Sequence, residues 1–169
     1  MNSIIKSLLA ATAGLAMSVA PAHARIENET GDLLKLMSQN GISVTINSEA
    51  CDGTVHGTYS FTGMRRTLNL CPGDEIDAID HTTVRHEAWH VIQHCVNVAR
   101  GTALNSPVQT DLNELAEVVN ETVPADIVEF VKRSYPQEHW LVEFEAQAAS
   151  IVLTSSDIME VFSDVCTAK

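Results

Sequence analysis

The segment His86-Glu87-Ala88-Trp89-His90 places two imidazoles four positions apart, with a carboxylate directly after the first. On a helix, residues at positions i and i+4 lie on one face a single turn apart, so both rings can reach one metal ion. In zinc hydrolases with this spacing, the two histidines bind the metal and the glutamate takes a proton from the metal-bound water. The segment therefore predicts a zinc site with hydrolytic chemistry.

The residues around this segment predict the helix that the spacing requires. No Gly or Pro interrupts the chain from His81 to Arg100, Asp80 and Thr82 are candidate N-caps, and Gly101 is well placed to end the helix. Apolar residues recur at spacings of three and four, namely Val84, Ala88, Val91, Ile92, Cys95 and Val98. The histidine face then borders a buried stripe. The alternative is an amphipathic helix whose histidines are solvated and bind nothing.

A catalytic zinc needs a third protein ligand and an open position for water. His94 is excluded, because eight residues of helix separate it from His86 by about 12 Å of rise. Two better candidates, Glu143 and Glu145, lie in a segment that is otherwise apolar and rich in small residues. Carboxylates in such a segment are costly unless they are paired or bound to metal. The alternative is that both are ordinary solvated glutamates.

The two segments together resemble the gluzincin arrangement of zinc peptidases. There a histidine pair spaced as His86-Glu87-x-x-His90 is followed by a later helix with a pattern like Glu143-x-x-Ala146-Gln147. The resemblance implies one zinc per chain, held by His86, His90 and Glu143. Glu145 remains the rival third ligand.

Gln147 falls where that family usually has an aspartate that supports a ligating histidine. A glutamine can accept a hydrogen bond from the imidazole but supplies no negative charge, so this departure predicts weaker metal affinity or activity.

The activity implied is hydrolysis of peptide bonds by a zinc-activated water, with Glu87 as the general base that passes the proton to the leaving amine. The tetrahedral oxyanion needs a further donor, for which Tyr135, His139 and His81 are candidates because they lie near the two motif helices in sequence. The strand over residues 67–70 is expected to align a peptide or protein substrate by strand addition.

The hydrophobic periodicity predicts an α+β fold, in which a small antiparallel sheet packs on a mainly helical half in a zincin-like arrangement. The first helix is expected at 31–39, with Thr30 or Asn28 as its cap. Strands are predicted at 42–46, 55–61 and 67–70, and further helices at 81–100, 109–121, 125–134, 137–153 and 156–166.

Residues 1–24 have the features of a secretory signal peptide. Lys6 is followed by an apolar run and then by Pro21-Ala22-His23-Ala24, which predicts cleavage after Ala24. An uncleaved anchor is the alternative. Cleavage would leave residues 25–169 as a single metallopeptidase domain that is secreted or periplasmic. The apolar run is short for a membrane span, so stable membrane insertion is not expected after cleavage.

The chain is acidic, with 22 Asp and Glu residues against 10 Lys and Arg and a formal net charge of −12. This charge argues against nucleic acid or an anionic membrane surface as a partner.

Four cysteines in an exported chain indicate two disulfides. Three pairings are possible. The preferred one joins Cys51 to Cys71, which closes the strand region, and Cys95 to Cys166, which ties the histidine helix to the last helix.

Two other functions stay open at this point. One is a zinc-binding domain of the same fold with little or no turnover, which the glutamine at position 147 makes plausible. The other is a metal-free binding module stapled by its disulfides, in which the histidines and Glu87 are surface residues.

Overall fold

The fold is known from a computed structural model that describes residues 22–49, 51, 56–72 and 80–167. In chain order the elements are α1 (Ala22–Gln39), β1 (Ile42–Ile46), β2 (Gly57–Thr62), β3 (Arg65–Leu70), α2 (His81–Arg100), α3 (Leu112–Thr122), α4 (Ala125–Ser134), a 3₁₀ turn (Gln137–His139), α5 (Trp140–Val152) and α6 (Ser155–Cys166). The predicted α+β class is confirmed: one small sheet packs against a mainly helical remainder.

The three strands form a mixed sheet, so the prediction of an entirely antiparallel one is wrong. Strand β3 lies in the middle, antiparallel to β2 and parallel to β1. The chain leaves β1, forms β2 at the opposite edge, and turns at Gly63 and Met64 to insert β3 between them. Because β3 reverses β2, it runs in the direction of β1. Alternating residues predict strands but do not specify which strands pair.

Helix α1 begins at Ala22, well before the predicted start at residue 31. Thr30 was expected to cap this helix but lies inside it, buried, with Oγ1 3.2 Å from Ser155 Oγ and 2.9 Å from His81 Nδ1. The threonine hydroxyl bonds to residues of α6 and α2 and does not cap α1.

Helix α2 lies at the centre of the fold, in contact with α1, α5, α6, β2 and β3. Asp80 caps its start by accepting hydrogen bonds from the backbone amides of Thr82 and Thr83. Gly101 ends it in the left-handed conformation, with φ of 66°. The main core includes Leu33, Met37, Leu68, Leu70, Val84, Ala88, Val91, Ile92, Ile158 and Phe162. The helix that carries the histidines is thus held on several sides.

Both disulfides are present in the preferred pairing. Cys51 and Cys71 have Cα atoms 5.5 Å apart, and Cys95 and Cys166, which join α2 to α6, have Cα atoms 5.2 Å apart. Two disulfides favour an oxidising, extracellular type of environment.

No helix in the described part of the chain is long and apolar enough to cross a bilayer. Most of the predicted signal peptide, residues 1–21, lies outside the described residues, and the predicted cleavage site falls in the first turn of α1.

Candidate metal centre

Three buried or nearly buried side chains from α2 and α5 converge at one point. The Nε2 atoms of His86 and His90 are 3.1 Å apart. Glu143 reaches both rings, with Oε2 3.4 Å from His86 Nε2 and Oε1 3.6 Å from His90 Nε2. This is the one group of His, Cys, Asp and Glu side chains with metal-ligand spacing found among the described residues.

The separations within this cluster match those of donors around one ion. Two ligand atoms at about 2.0–2.1 Å from a tetrahedral ion lie about 3.3 Å from each other. The carboxylate oxygen Oε2 of Glu143 is buried and lacks a hydrogen-bond partner in the described structure. An unpartnered buried acceptor is costly, and a cation at the centre of the cluster would satisfy it. Two imidazoles and one carboxylate are a donor set that suits zinc.

The charges of the cluster are strongly coupled even without an ion. Burial raises the pKa of Glu143, but the close approach and charge of the two imidazoles outweigh it and lower this pKa to about 2. Burial likewise lowers the pKa of His90, but the close approach and charge of Glu143 outweigh it and raise this pKa to about 9. The ionised carboxylate of Glu143 therefore faces both imidazole rings.

Glu87 lies beside the cluster and is 6% exposed. Burial raises the pKa of its carboxyl group, while the neighbouring imidazoles and the backbone N–H of Tyr59 oppose the rise. A carboxylate with a raised pKa is a stronger base and is better suited to accept and return a proton. It lines the same cleft as the histidines.

Glu145, the rival third ligand, lies outside the cluster. It is 5% exposed and accepts four N–H hydrogen bonds: from Trp89 Nε1 at 3.2 Å, Gln93 Nε2 at 2.9 Å, Val108 N at 2.8 Å and Gln109 N at 2.7 Å. Burial raises its pKa and these donors oppose the rise. Residues two apart on a helix point in different directions, so Glu143 and Glu145 cannot share one role. Trp89 is buried and donates to Glu145, so it is a core residue.

Gln93 is a residue of the site that the sequence analysis missed. Its Oε1 lies 2.7 Å from His90 Nδ1, while its Nε2 donates to Val142 O at 3.0 Å and to Glu145. Since the amide nitrogen is used as a donor, the amide oxygen accepts, and the Nδ1 of His90 carries the proton. When the ring is neutral, as binding to a metal ion requires, the lone pair is on His90 Nε2, the nitrogen that faces Glu143. The spacing of three residues from His90 on one helix face was the available signal.

Gln147 does not form the support predicted for it. It is half-buried and lines an extension of the cleft beside His86 and Glu87. The Nδ1 atom of His86 is buried without a hydrogen-bond partner in the described part of the chain. One histidine of the pair is therefore oriented by a hydrogen bond and the other by packing alone.

The cleft above the cluster has a volume of about 530 Å³ and contains two of the three candidate oxyanion donors, Tyr135 and His139. Burial and the charges of Glu143 and Glu87 raise the pKa of Tyr135 to about 12, so its hydroxyl keeps its proton. His81 is bonded to Thr30 and has no place in the cleft lining.

One wall of the cleft is the edge strand β2. The prediction that residues 67–70 align the substrate is wrong. These residues belong to β3, which is paired on both sides and has no edge for another strand. Cys71 N donates to His56 O, so in this antiparallel register the backbone groups of Gly57, Tyr59 and Phe61 point away from β3. Within the described part of the chain no other strand pairs with this edge, which lies beside the cluster, and the Tyr59 N–H on it donates to Glu87.

Gly57 is required where β2 meets α2. A Cβ atom at this position would lie 2.8 Å from Thr83 Cγ2 and 2.9 Å from Glu87 Cγ. The absence of a side chain lets the strand approach the helix directly beside Glu87.

Comparisons with known proteins found no relative. The chain matches no protein-family model, no curated protein and no solved structure.

Proposed function

We propose that this protein is an exported single-zinc metallopeptidase. The observation that carries the proposal is the convergence of His86 Nε2, His90 Nε2 and the Glu143 carboxylate at 3.1–3.6 Å. Glu87 lies beside them in an open cleft, one wall of which is a strand edge that no other described strand pairs with. Metal ligands, a buried base and a place for an extended peptide are the parts that this chemistry needs.

His86, His90 and Glu143 would hold the ion, which when bound would supply Lewis-acid polarisation of the scissile carbonyl and activation of a water. Glu87 accepts the proton of the attacking water and delivers it to the leaving amine. Gln93 holds the ring of His90 in the tautomer that leaves Nε2 free to ligate. Tyr135, protonated and in the cleft, is the better placed donor to the oxyanion.

The free edge of β2 is the surface that would align the substrate. The backbone groups of Gly57 and Phe61 and the carbonyl of Tyr59 can form strand hydrogen bonds with an extended peptide, while the N–H of Tyr59 donates to Glu87. This contact is independent of side-chain identity, so it gives affinity for peptides in general and positions the scissile bond near Glu87.

A second candidate is a zinc-binding domain of the same fold with little turnover. The observation in its favour is the buried Nδ1 of His86, which lacks the hydrogen bond that normally orients a ligating histidine. Such a protein binds zinc but does not hydrolyse peptides.

The test is metal analysis of the purified, oxidised protein together with peptide hydrolysis. We expect about one zinc per chain, lost or much weakened in Glu143→Gln, and retained in Glu138→Gln, whose glutamate is exposed at the 3₁₀ turn. Glu87→Gln should keep its zinc and lose hydrolysis. Zinc binding without turnover in the unmodified protein would favour the second candidate. If the protein binds no metal after zinc is supplied, both zinc-dependent functions are excluded and the metal-free binding module is the remaining hypothesis.

A further inference from the structure

One end of the cleft is walled by three rings. Phe61 and Tyr59, neighbours on the α2-facing side of β2, both contact His94, which is one turn beyond His90 on α2. The ring centroids of Phe61 and His94 are 4.6 Å apart, and those of Tyr59 and His94 are 5.9 Å apart, both with edge-to-face geometry. Rings packed in this way form an aromatic wall. All three line the cleft that contains the cluster.

The segment between α2 and α3 also contributes to the lining of the cleft. Leu104 and Asn105 line the cleft there. The segment is fastened to α2, because Asn97 Nδ2 donates to Ser106 O at 2.6 Å and Arg100 donates to Val108 O at 2.8 Å. Leu104 is therefore held in place as an apolar wall.

Two large apolar side chains at this end are exposed without being covered by other parts of the described structure. Phe61 is 43% exposed and Leu104 is 39% exposed. Exposed apolar side chains grouped at the mouth of a cleft are typical of a binding site. Burial, together with the charge of Arg66, lowers the pKa of His94, which favours the uncharged ring that an apolar occupant requires.

The extension of the cleft on the other side of the cluster differs in character. It contains Asp80, Thr82, Thr83, His56 and Gln147 in addition to the apolar Ile127 and Phe130. The two directions from the cluster are therefore chemically unequal, and the ring-lined end is the one without a carboxylate of its own.

We propose that Phe61, His94 and Leu104 form a specificity subsite for a large apolar side chain of the substrate, aromatic or of the size of Leu or Met. The inference rests on the proposed peptidase function and deepens it by naming the class of peptide. The occupant is a residue on the N-terminal side of the scissile bond. A peptide added antiparallel to β2 starts near Phe61 and continues past Gly57, and antiparallel pairing is the slightly more stable arrangement.

The cleavage test uses the zinc-loaded full chain and a mixed peptide library read by mass spectrometry. The cleaved bonds should share Phe, Tyr, Leu or Met at one position on their N-terminal side. Phe61→Ser should lower kcat/KM for these peptides about 10-fold, because part of the apolar contact is lost. The zinc content should not change. Met64→Ser is the matched control, since Met64 is fully exposed in the β2–β3 turn. It should change neither quantity.

A binding measurement separates failure of the subsite from failure of the peptidase proposal. Zinc-loaded Glu87→Gln is titrated by calorimetry with an acetylated, amidated octapeptide of Ala and Ser that contains one Phe, and with the same peptide carrying Ala instead. The Phe peptide should bind about 10-fold more tightly, and Phe61→Ser in the same background should remove the difference. Equal binding of the two peptides, or a cleavage preference for charged residues at that position, overturns the subsite. Selective binding without any cleavage by the unmodified protein keeps the subsite and overturns the peptidase proposal alone.

Discussion

His90 and Glu145 are joined through a single side chain, that of Gln93, which bonds to the imidazole with its oxygen and to the carboxylate with its nitrogen. Glu145 also accepts the amides of Val108 and Gln109. The cluster of His86, His90 and Glu143 is thereby connected to the segment between α2 and α3, one part of which lines the cleft. Glu145, which the sequence offers as a rival metal ligand, instead holds Gln93, the hydrogen-bond partner of His90.

The first prediction concerns Gln93. Gln93→Met keeps the volume of the side chain but removes its hydrogen bonds to His90, Val142 and Glu145. We expect zinc affinity to fall about 10- to 100-fold. Competition with a chromophoric chelator measures this, with Gln39→Met at the exposed end of α1 as the control. Unchanged affinity in a folded Gln93→Met protein would contradict the positioning role.

The second prediction contrasts two glycines. Gly57→Ala should force β2 away from α2, because its Cβ atom would overlap the side chains of Thr83 and Glu87. We expect a clear loss of hydrolysis and a destabilisation of about 1–3 kcal/mol. Gly31→Ala, inside α1 with open space around the new Cβ, should stabilise the protein by about 0.5–1 kcal/mol. Urea denaturation of both variants measures the difference, and equal effects would be inconsistent with the close contact at Gly57.

The third prediction concerns Tyr135. Tyr135→Phe removes one hydroxyl from the cleft and keeps the ring. If the hydroxyl stabilises the oxyanion, kcat should fall about 10²- to 10³-fold with KM and zinc content nearly unchanged. His139→Ala, which changes the other donor in the same cleft, provides the comparison. A larger loss from the histidine change would reverse the assignment of the donor.

The fourth prediction compares the two disulfides. The Cys95–Cys166 bond closes a sequence separation of 71 residues and the Cys51–Cys71 bond one of 20. In the chain-entropy account, removing the longer closure costs about 1 kcal/mol more than removing the shorter one. Paired Cys→Ala variants should therefore rank in that order by thermal or urea unfolding. The variant without Cys95–Cys166 should also bind zinc less tightly, since that bond ties α6 to the histidine helix.

The local periodicity of apolar residues, together with capping residues, was sufficient to predict most of the helices and strands. Helix α2 begins and ends where Asp80 and Gly101 indicated, and the observed strands overlap the predicted ones. The start of α1 and the sheet topology were missed for a common reason. Thr30 lies inside α1, where it bonds to Ser155 and His81, and β3 pairs with both β1 and β2. Both arrangements join segments that are distant in sequence, and local pattern does not encode such contacts.

The sequence by itself determined the spacing of His86 and His90 on one helix face, because a helix of 3.6 residues per turn brings i and i+4 together in any fold. The sequence also identified Glu143 and Glu145 as candidate ligands, but it did not determine their roles. Only the tertiary structure decided between them. The crossing of α2 and α5 turns Glu143 toward the imidazoles and Glu145 toward four N–H donors. The same packing brought Gln93 behind His90 and the edge of β2 beside Glu87, since contacts between distant segments depend on how helices and strands pack and no local periodicity encodes them.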